Sequence, residues 1–147
     1  MAADPAMTAH LNAVLKHKLT GINQYFLHAR ILKHQGDVKL ADHEYKASLD
    51  AMKHSDMLVE HILSLGGIPN LQELDRLAIG HSARAMLQND LALLETAQAG
   101  LASAMEHAET LNDRASSALL TKIRQTQQER MEFINKQLAA LQRKECA

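Results

Sequence analysis

The chain has 147 residues, enough for one domain that buries about two-thirds of its unfolded surface. Its net charge of −1 gives no electrostatic reason to expect nucleic acid as a partner, and an aromatic content of only 3% favours helices over sheets. No apolar run approaches the ~20 residues that cross a bilayer, so a membrane partner is not expected. Without a secretion signal, and with Cys146 as its single cysteine, the chain is expected to be cytoplasmic.

Chain breakers divide the sequence into four predicted helices. Gly36, the Gly66-Gly67 pair and the Asn112-Asp113 junction interrupt runs in which apolar residues recur at helical spacing. Ser82 is a good N-cap for the third helix, because its hydroxyl can accept a hydrogen bond from an amide of the first turn. The predicted helices cover about residues 8–35, 40–65, 82–111 and 113–141.

The connections between these helices indicate the fold. Short loops join helices one and two and helices three and four, whereas residues 66–81 separate helices two and three. Two hairpins joined by one long crossover make the ferritin-like form of a four-helix bundle. The predicted fold class is therefore all-α, with residues 1–147 in a single domain.

Each predicted helix has an apolar stripe at spacings of three and four residues, which places the stripe on the side that faces the bundle core. Four polar residues interrupt these stripes near mid-helix: Lys18, His54, Gln127 and Arg130. Polar groups at core positions are costly unless paired, so this cluster indicates either a functional site or long side chains whose charged ends extend to solvent. The histidines other than His54 lie in polar contexts and are expected at the surface.

The chemistry of this cluster argues against a di-metal site. A di-iron site in a helical bundle takes four carboxylates and two histidines. The cluster offers one imidazole, one amide and two permanent cations. Two positive charges near a low-dielectric centre repel a divalent ion by several kcal/mol.

Helix two also has a second apolar line, and Met52 on this line lies about 200° around the helix from His54. A helix that is apolar on two sides usually makes contacts on both. Spacing alone leaves two explanations open. The line is either a homodimer interface, or an interface that holds a flat apolar cofactor with the Met52 thioether as a soft ligand for haem iron.

Three segments resemble bacterioferritins: INQYFLHAR at 22–30, MKHSD at 52–56 and PNLQEL at 69–74. The resemblance extends from about Leu11 to Leu141. It implies a hollow cage of 24 subunits that stores iron as a ferric mineral. It also implies haem b on a two-fold axis between paired subunits, with one methionine from each subunit as axial ligand.

The haem pocket implied by the resemblance matches this chain, with Met52 in the place of the axial ligand. The residues that fall where the family lines the porphyrin are Leu19, Ile22, Asn23, Phe26, Tyr45, Leu49 and Leu71. By analogy with the family, a ferredoxin-type electron donor is expected to dock near Ile68 and Pro69.

The family's ferroxidase centre does not match. The resemblance places its six ligands where this chain has Lys18, Ala51, His54, Leu94, Gln127 and Arg130, so only His54 remains as a ligand type. We therefore expect no catalytic residues and no di-iron site. The resemblance also implies a short fifth helix near the four-fold axis. Only residues 143–147 follow the fourth predicted helix, so we expect this helix to be missing and the shape of the pore to differ.

These expectations combine into one hypothesis, a haem-binding, non-catalytic subunit of an iron-storage cage. It would assemble with copies of itself or with a ferroxidase-active bacterioferritin subunit, and its haem would pass electrons inward for iron release. One alternative is an active ferroxidase with a relocated site drawn from residues whose directions are not expected to converge: Asp50, His54, Glu95 and Glu129. Another is a haem-binding structural protein outside iron storage.

Overall fold

The computed structural model describes residues 4–146, which form four α-helices and, in that range, no strand. The helices are α1 (Pro5–His34), α2 (Val38–Ser64), α3 (Ala83–Thr110) and α4 (Arg114–Cys146). Short loops close the α1–α2 and α3–α4 hairpins, and residues 65–82 make the long crossover between the hairpins. The predicted all-α bundle with a long crossover is confirmed. Within residues 4–146, no helix is long and apolar enough to span a membrane.

Side-chain caps determine where the helices begin. The expected start of α1 was near residue 8, but the helix begins at Pro5, because Asp4 Oδ1 accepts a hydrogen bond of 2.7 Å from Met7 N. Carboxylate or hydroxyl groups cap the other three helices in the same way: Asp37, Ser82 and Asp113.

The fourth helix continues beyond its expected end near Leu141 and reaches Cys146. Residues 142–145 are good helix formers, and the cations at 143 and 144 interact favourably with the negative end of the helix dipole. Arg84 of α3 also forms an ion pair with Glu145. Residues 142–146 therefore belong to α4, and no separate fifth helix follows among the residues that the structure describes.

Two apolar clusters fill the two ends of the bundle. One includes Leu11, Leu58, Leu101 and Ile123, and the other includes Leu32, Leu40, Leu87 and Ile134. Between them the helices bring together buried polar side chains that we call the polar layer: Lys18, Gln24, His28, Glu44, His54, Asp90, Gln127 and Arg130. The mid-helix interruptions of the apolar stripes, Lys18, His54, Gln127 and Arg130, thus line one cavity between the two apolar clusters.

Side chains of α1 hold the crossover. Four of its amides donate hydrogen bonds to that helix: Asn70 N to Asn12 Oδ1, Asp75 N to Thr20 Oγ1, Ala78 N to Gln24 Oε1 and Gly80 N to His28 Nε2. Gly80 lies so close to α3 that a Cβ at this position would be 2.4 Å from the Met86 backbone nitrogen. The crossover therefore fixes Gln24 and His28, which are part of the polar layer.

Candidate functional site

A cavity of about 130 Å³, which we call the central chamber, lies beside the polar layer. All six positions at which the resemblance places ferroxidase ligands line it: Lys18, Ala51, His54, Leu94, Gln127 and Arg130. The remaining lining residues are Tyr25, His43, Lys46, Ala47, Asp50, Thr126 and Glu129. The fold thus brings the six sequence-predicted positions to the wall of one cavity.

Arg130 is buried and paired with acids on two other helices. Its Nη2 donates hydrogen bonds to Glu44 Oε2 at 2.5 Å and to Asp90 Oδ2 at 3.2 Å. Its Nη1 donates to His43 Nδ1 at 2.6 Å, so this ring nitrogen is an acceptor and His43 is neutral. The side chain is only 8% exposed, which excludes the alternative in which Arg130 extends to solvent.

Asp90 is held by a second set of buried groups. Its Oδ1 accepts hydrogen bonds from Gln24 Nε2 and from His28 Nδ1, both at 2.9 Å. Because His28 Nε2 accepts from Gly80 N, the proton of a neutral His28 lies on Nδ1, the atom that faces Asp90. The expectation that His28 lies at the surface is wrong. His28 can be buried because both of its ring nitrogens have hydrogen-bond partners, Gly80 in the crossover and Asp90 on α3. Both partners are distant from His28 in sequence.

The pKa values of the two acids of the polar layer shift in opposite directions. Burial raises the pKa of Glu44 well above its ordinary value, and the neighbouring Asp90 adds to this shift. Burial alone would also raise the pKa of Asp90, but the hydrogen bond from His28 and the charge of Arg130 help to hold it below its ordinary value. The surroundings thus favour the ionised form of Asp90, beside Arg130, more than that of Glu44.

One group in the described part of the chain has metal-ligand geometry. Ligand atoms of His28, Glu44 and Asp90 all lie within 4.8 Å of one another. However, the guanidinium of Arg130 already contacts a carboxylate oxygen of each acid. A permanent cation therefore lies within hydrogen-bond distance of both acids, and its charge opposes a divalent ion at this group.

Lys18 brings a second buried cation to the central chamber. Burial lowers its pKa to about 8, and the opposing attraction of Asp50 only partly offsets this. Among residues 4–146, Lys18 forms no ion pair. The pKa of the His54 imidazole is lowered to about 4, mainly by burial and then by the positive charges of Lys18 and Lys122. A ferrous ion entering the chamber would thus meet Lys18 and Arg130, with a Coulomb cost of several kcal/mol.

The residues considered for a relocated metal site are partly brought together. Asp50, His54 and Glu129 line the central chamber, contrary to the expectation that they point apart, whereas Glu95 does not line it. Their ligand atoms still do not converge, because within residues 4–146 the one set of three inside 4.8 Å is the group around Asp90. The chamber thus has candidate ligands at its wall but no assembled coordination shell.

The opposite side of α2 forms an exposed surface that we call the apolar face. Met52 is 58% exposed and His54 only 6%, so the two residues point to opposite sides as the helical spacing predicts. Of the residues predicted to surround haem, Leu19 and Ile22 are half-buried, Asn23 is exposed, and four large hydrophobic residues are exposed: Phe26, Tyr45, Leu49 and Leu71. An exposed apolar surface of this kind marks a contact with a partner or ligand.

Sequence reasoning missed Glu44, Asp90 and His28. Glu44 lies three residues before the core residue Ala47, and Asp90 lies three residues after Leu87, so both stand at core spacing. A stripe defined by apolar residues passes over such acids. A search for acids at core spacing would have found partners for Arg130, although not which of them Arg130 contacts.

Comparisons with known proteins agree with the fold. Residues 8–144 match the ferritin-like domain family. A bacterioferritin of Mycobacterium leprae is 33% identical over 96% of this chain and 89% of its own length. The bacterioferritin BfrA of Mycobacterium tuberculosis is 34% identical over 94% and 87%, and a bacterioferritin of Streptomyces coelicolor is 33% identical over 97% and 86%.

We expect strong coupling between Arg130 and Asp90. Arg130→Met and Asp90→Asn each leave one buried charge unpaired and should each destabilise the fold by about 3–5 kcal/mol. The double variant removes both charges, so its cost should fall short of the sum by more than about 1 kcal/mol. Urea unfolding at fixed protein concentration measures this, with the exposed Arg124→Met as control. If the destabilisation in the double variant equals the sum of the two single variants, Arg130 and Asp90 are not energetically coupled.

Burial of Lys18 predicts a pH-dependent stability. The pKa of Lys18 is about 8 in the folded chain and 10.5 in the unfolded chain. At a pH between these two values Lys18 is protonated only in the unfolded chain, so its contribution to stability rises with pH. At pH 7 Lys18→Met should therefore be more stable than the parent, by up to about 3 kcal/mol, and this difference should disappear above pH 10. Unfolding in phosphate-free buffer across this range measures the difference. The control Lys33→Met, which changes an exposed lysine, should have the same free energy of unfolding as the parent at every pH. If Lys18→Met also shows no difference from the parent, Lys18 is not a buried, unpaired ammonium.

Proposed function

The chain belongs to the ferritin-like family and, within it, to the bacterioferritins, and from this premise we propose that it is a haem-binding subunit of an iron-storage cage without a di-iron ferroxidase centre of its own. The observation that carries this proposal is the central chamber. Five of its six expected ligand positions carry side chains of another type, and two of these are the buried cations Lys18 and Arg130.

Loss of the ferroxidase centre has a consequence for assembly. Stored ferric mineral requires oxidation of ferrous iron, which a subunit lacking metal ligands does not catalyse. We infer that this chain shares a 24-subunit cage with a ferroxidase-active bacterioferritin subunit. The cage contains either one copy of this chain or several. In such a cage the mineral is cargo, and the active partner supplies the oxidation step.

The apolar face fits haem b. Met52 presents an exposed thioether, a soft ligand suited to haem iron, among apolar side chains that can cover a porphyrin. Phe26 and Tyr45 lie side by side with ring centroids 6.3 Å apart. Pairing of this face with the same face of a second subunit would bring two Met52 side chains to one haem. Haem supplies one-electron transfer when bound, which would serve the reduction of stored ferric iron for release.

A ferredoxin-type protein is the electron donor that we propose for this haem. Ile68 is 83% exposed next to Pro69, at the start of the crossover and close along the chain to Leu71 of the apolar face. An exposed hydrophobic residue at this place supports a docking site at the haem edge. The class of donor is proposed by analogy with the family.

One observation favours a second candidate, a ferroxidase with a relocated metal site. Asp50, His54 and Glu129 share the central chamber, and all three are ligand types for iron. The cations in the same chamber oppose this function. A haem-binding structural protein outside iron storage is the third possibility, and an iron core in particles isolated from cells would exclude it.

The absence of a ferroxidase centre predicts the kinetics of ferrous oxidation. The purified chain should show no rapid oxidation phase that saturates at two irons per subunit, because Lys18 and Arg130 repel the ion and five ligands are missing. Stopped-flow absorbance measures this, with an active bacterioferritin as positive control. A rapid saturating phase would refute the proposal, and its loss in His54→Ala would favour the relocated site.

Met52 is predicted to be required for haem. Met52→Leu should abolish haem binding and leave helicity unchanged, because leucine has nearly the same volume but offers no ligand atom. Haem titration followed in the Soret band measures binding, and circular dichroism measures helicity. Met57→Leu is the matched control, since Met57 lies on α2 outside the apolar face. Unchanged haem uptake by Met52→Leu would contradict the assignment.

A further inference from the structure

Asn12 of α1 binds the backbone at the start of the crossover, in a stretch that we call the anchored segment (residues 67–73). Its Nδ2 donates a hydrogen bond of 3.1 Å to Ile68 O, and its Oδ1 accepts one of 2.8 Å from Asn70 N. The two bonds lie on either side of Pro69, which has no N–H of its own to donate. One side-chain amide thus uses both its donor and its acceptor on backbone groups 56 and 58 residues away in sequence.

Further contacts hold the anchored segment in one conformation. Asn70 Oδ1 accepts hydrogen bonds from Gln72 N at 3.0 Å and from Glu73 N at 3.3 Å, as in the turns that asparagine side chains commonly form. Gly67 lies so close to α1 that a Cβ at this position would be 2.7 Å from Thr8 Oγ1. The segment is therefore ordered against α1 by side-chain contacts, although it contains no helix or strand.

The anchored segment exposes large hydrophobic side chains. Ile68 is 83% exposed and Leu71 is 57% exposed. Ordering a segment costs conformational entropy, and the burial of apolar side chains is the usual source of free energy that offsets this cost. A segment that is ordered while its apolar side chains remain in solvent indicates a surface prepared for a ligand.

The position of Asn12 on α1 places the anchored segment at one end of the apolar face. Asn12, Leu19 and Phe26 are seven residues apart, which is almost two complete helical turns, so the three residues lie along one line of the helix. Leu19 and Phe26 are among the residues predicted to surround haem. At 1.5 Å per residue, Asn12 lies only about 10 Å from Leu19 along the helix axis. Leu71, next to the anchored backbone, thus extends the apolar face beyond α1 and α2.

We propose that Asn12 is a positioning residue for haem, because it holds Leu71 in place as a preformed cover at one end of the apolar face. Without the two hydrogen bonds, the anchored segment would have to be ordered each time haem binds, and this ordering would reduce the affinity. Asn12 is half-buried and its amide is already engaged with the crossover, so it acts through Leu71 and not by contact with haem. The inference rests on the proposed function, since it takes haem as the ligand of the apolar face.

Hydrogen exchange in the full chain, prepared without haem, tests the anchor. Asn12→Ala removes both hydrogen bonds, so backbone amides of the anchored segment should exchange at least about fivefold faster than in the parent. The control Lys16→Ala removes an ion pair of 3.1 Å between α1 and Asp75, beyond the anchored segment, and should leave this exchange unchanged. Mass spectrometry of peptides from the segment measures the rates, and circular dichroism should show equal helicity in all three proteins. Exchange in Asn12→Ala at the parental rate would overturn the proposal.

A double-mutant cycle with haem tests whether Asn12 acts through Leu71. In haem titrations followed in the Soret band, Asn12→Ala should weaken binding by about tenfold, the loss expected for two hydrogen bonds, and Lys16→Ala should bind as the parent does. Leu71→Ala removes the cover itself, so adding Asn12→Ala to this variant should change the affinity by less than about twofold. A tenfold loss in both backgrounds, or no loss in either, would overturn the positioning role.

The spectrum of bound haem separates this inference from the proposed function. Haem bound to Asn12→Ala should have the same absorption spectrum as haem bound to the parent, because Met52 still supplies the ligand atom. A different spectrum would show that Asn12 affects the iron ligand, and would contradict a role through Leu71. If the parent itself takes up no haem, the proposed function is wrong and the inference falls with it. If the parent binds haem and Asn12→Ala binds it equally well, only the inference is wrong.

Discussion

The guanidinium of Arg130 joins three helices at the centre of the bundle. It extends from α4 to Glu44 on α2 and Asp90 on α3, and Asp90 in turn accepts hydrogen bonds from Gln24 and His28 on α1. His28 continues the network to the crossover through Gly80. In this arrangement the permanently charged guanidinium of Arg130 donates a hydrogen bond to each of the buried acids Glu44 and Asp90. It therefore links three of the four helices through buried hydrogen bonds and ion pairs at the centre of the bundle.

The two sides of α2 face two different surroundings. One side carries His54 into the central chamber, and the other carries Met52 to the apolar face. Because residues two apart lie about 200° apart on a helix, a change of charge in the chamber need not disturb the exposed thioether. A subunit can thus lose iron oxidation and keep haem binding, which is the combination that we propose.

Much of the fold follows from the sequence. Glycine positions and apolar spacing predict four helices and the crossover, and the mid-helix positions of Lys18, His54, Gln127 and Arg130 predict a polar layer. The partners of Arg130 could not be predicted in the same way. Contact between residues 44, 90 and 130 depends on how separate helices pack, and neither acid is near Arg130 in sequence. The burial of His28 likewise depends on the crossover returning to α1 at Gly80.

In the function that we propose, cations at the middle of this bundle exclude ferrous iron. Anomalous diffraction at the iron edge, from crystals soaked anaerobically in ferrous salt, tests this claim most directly. We expect no iron peak in the chamber between Lys18 and Arg130. A pair of bridged iron peaks among the four helices would contradict it.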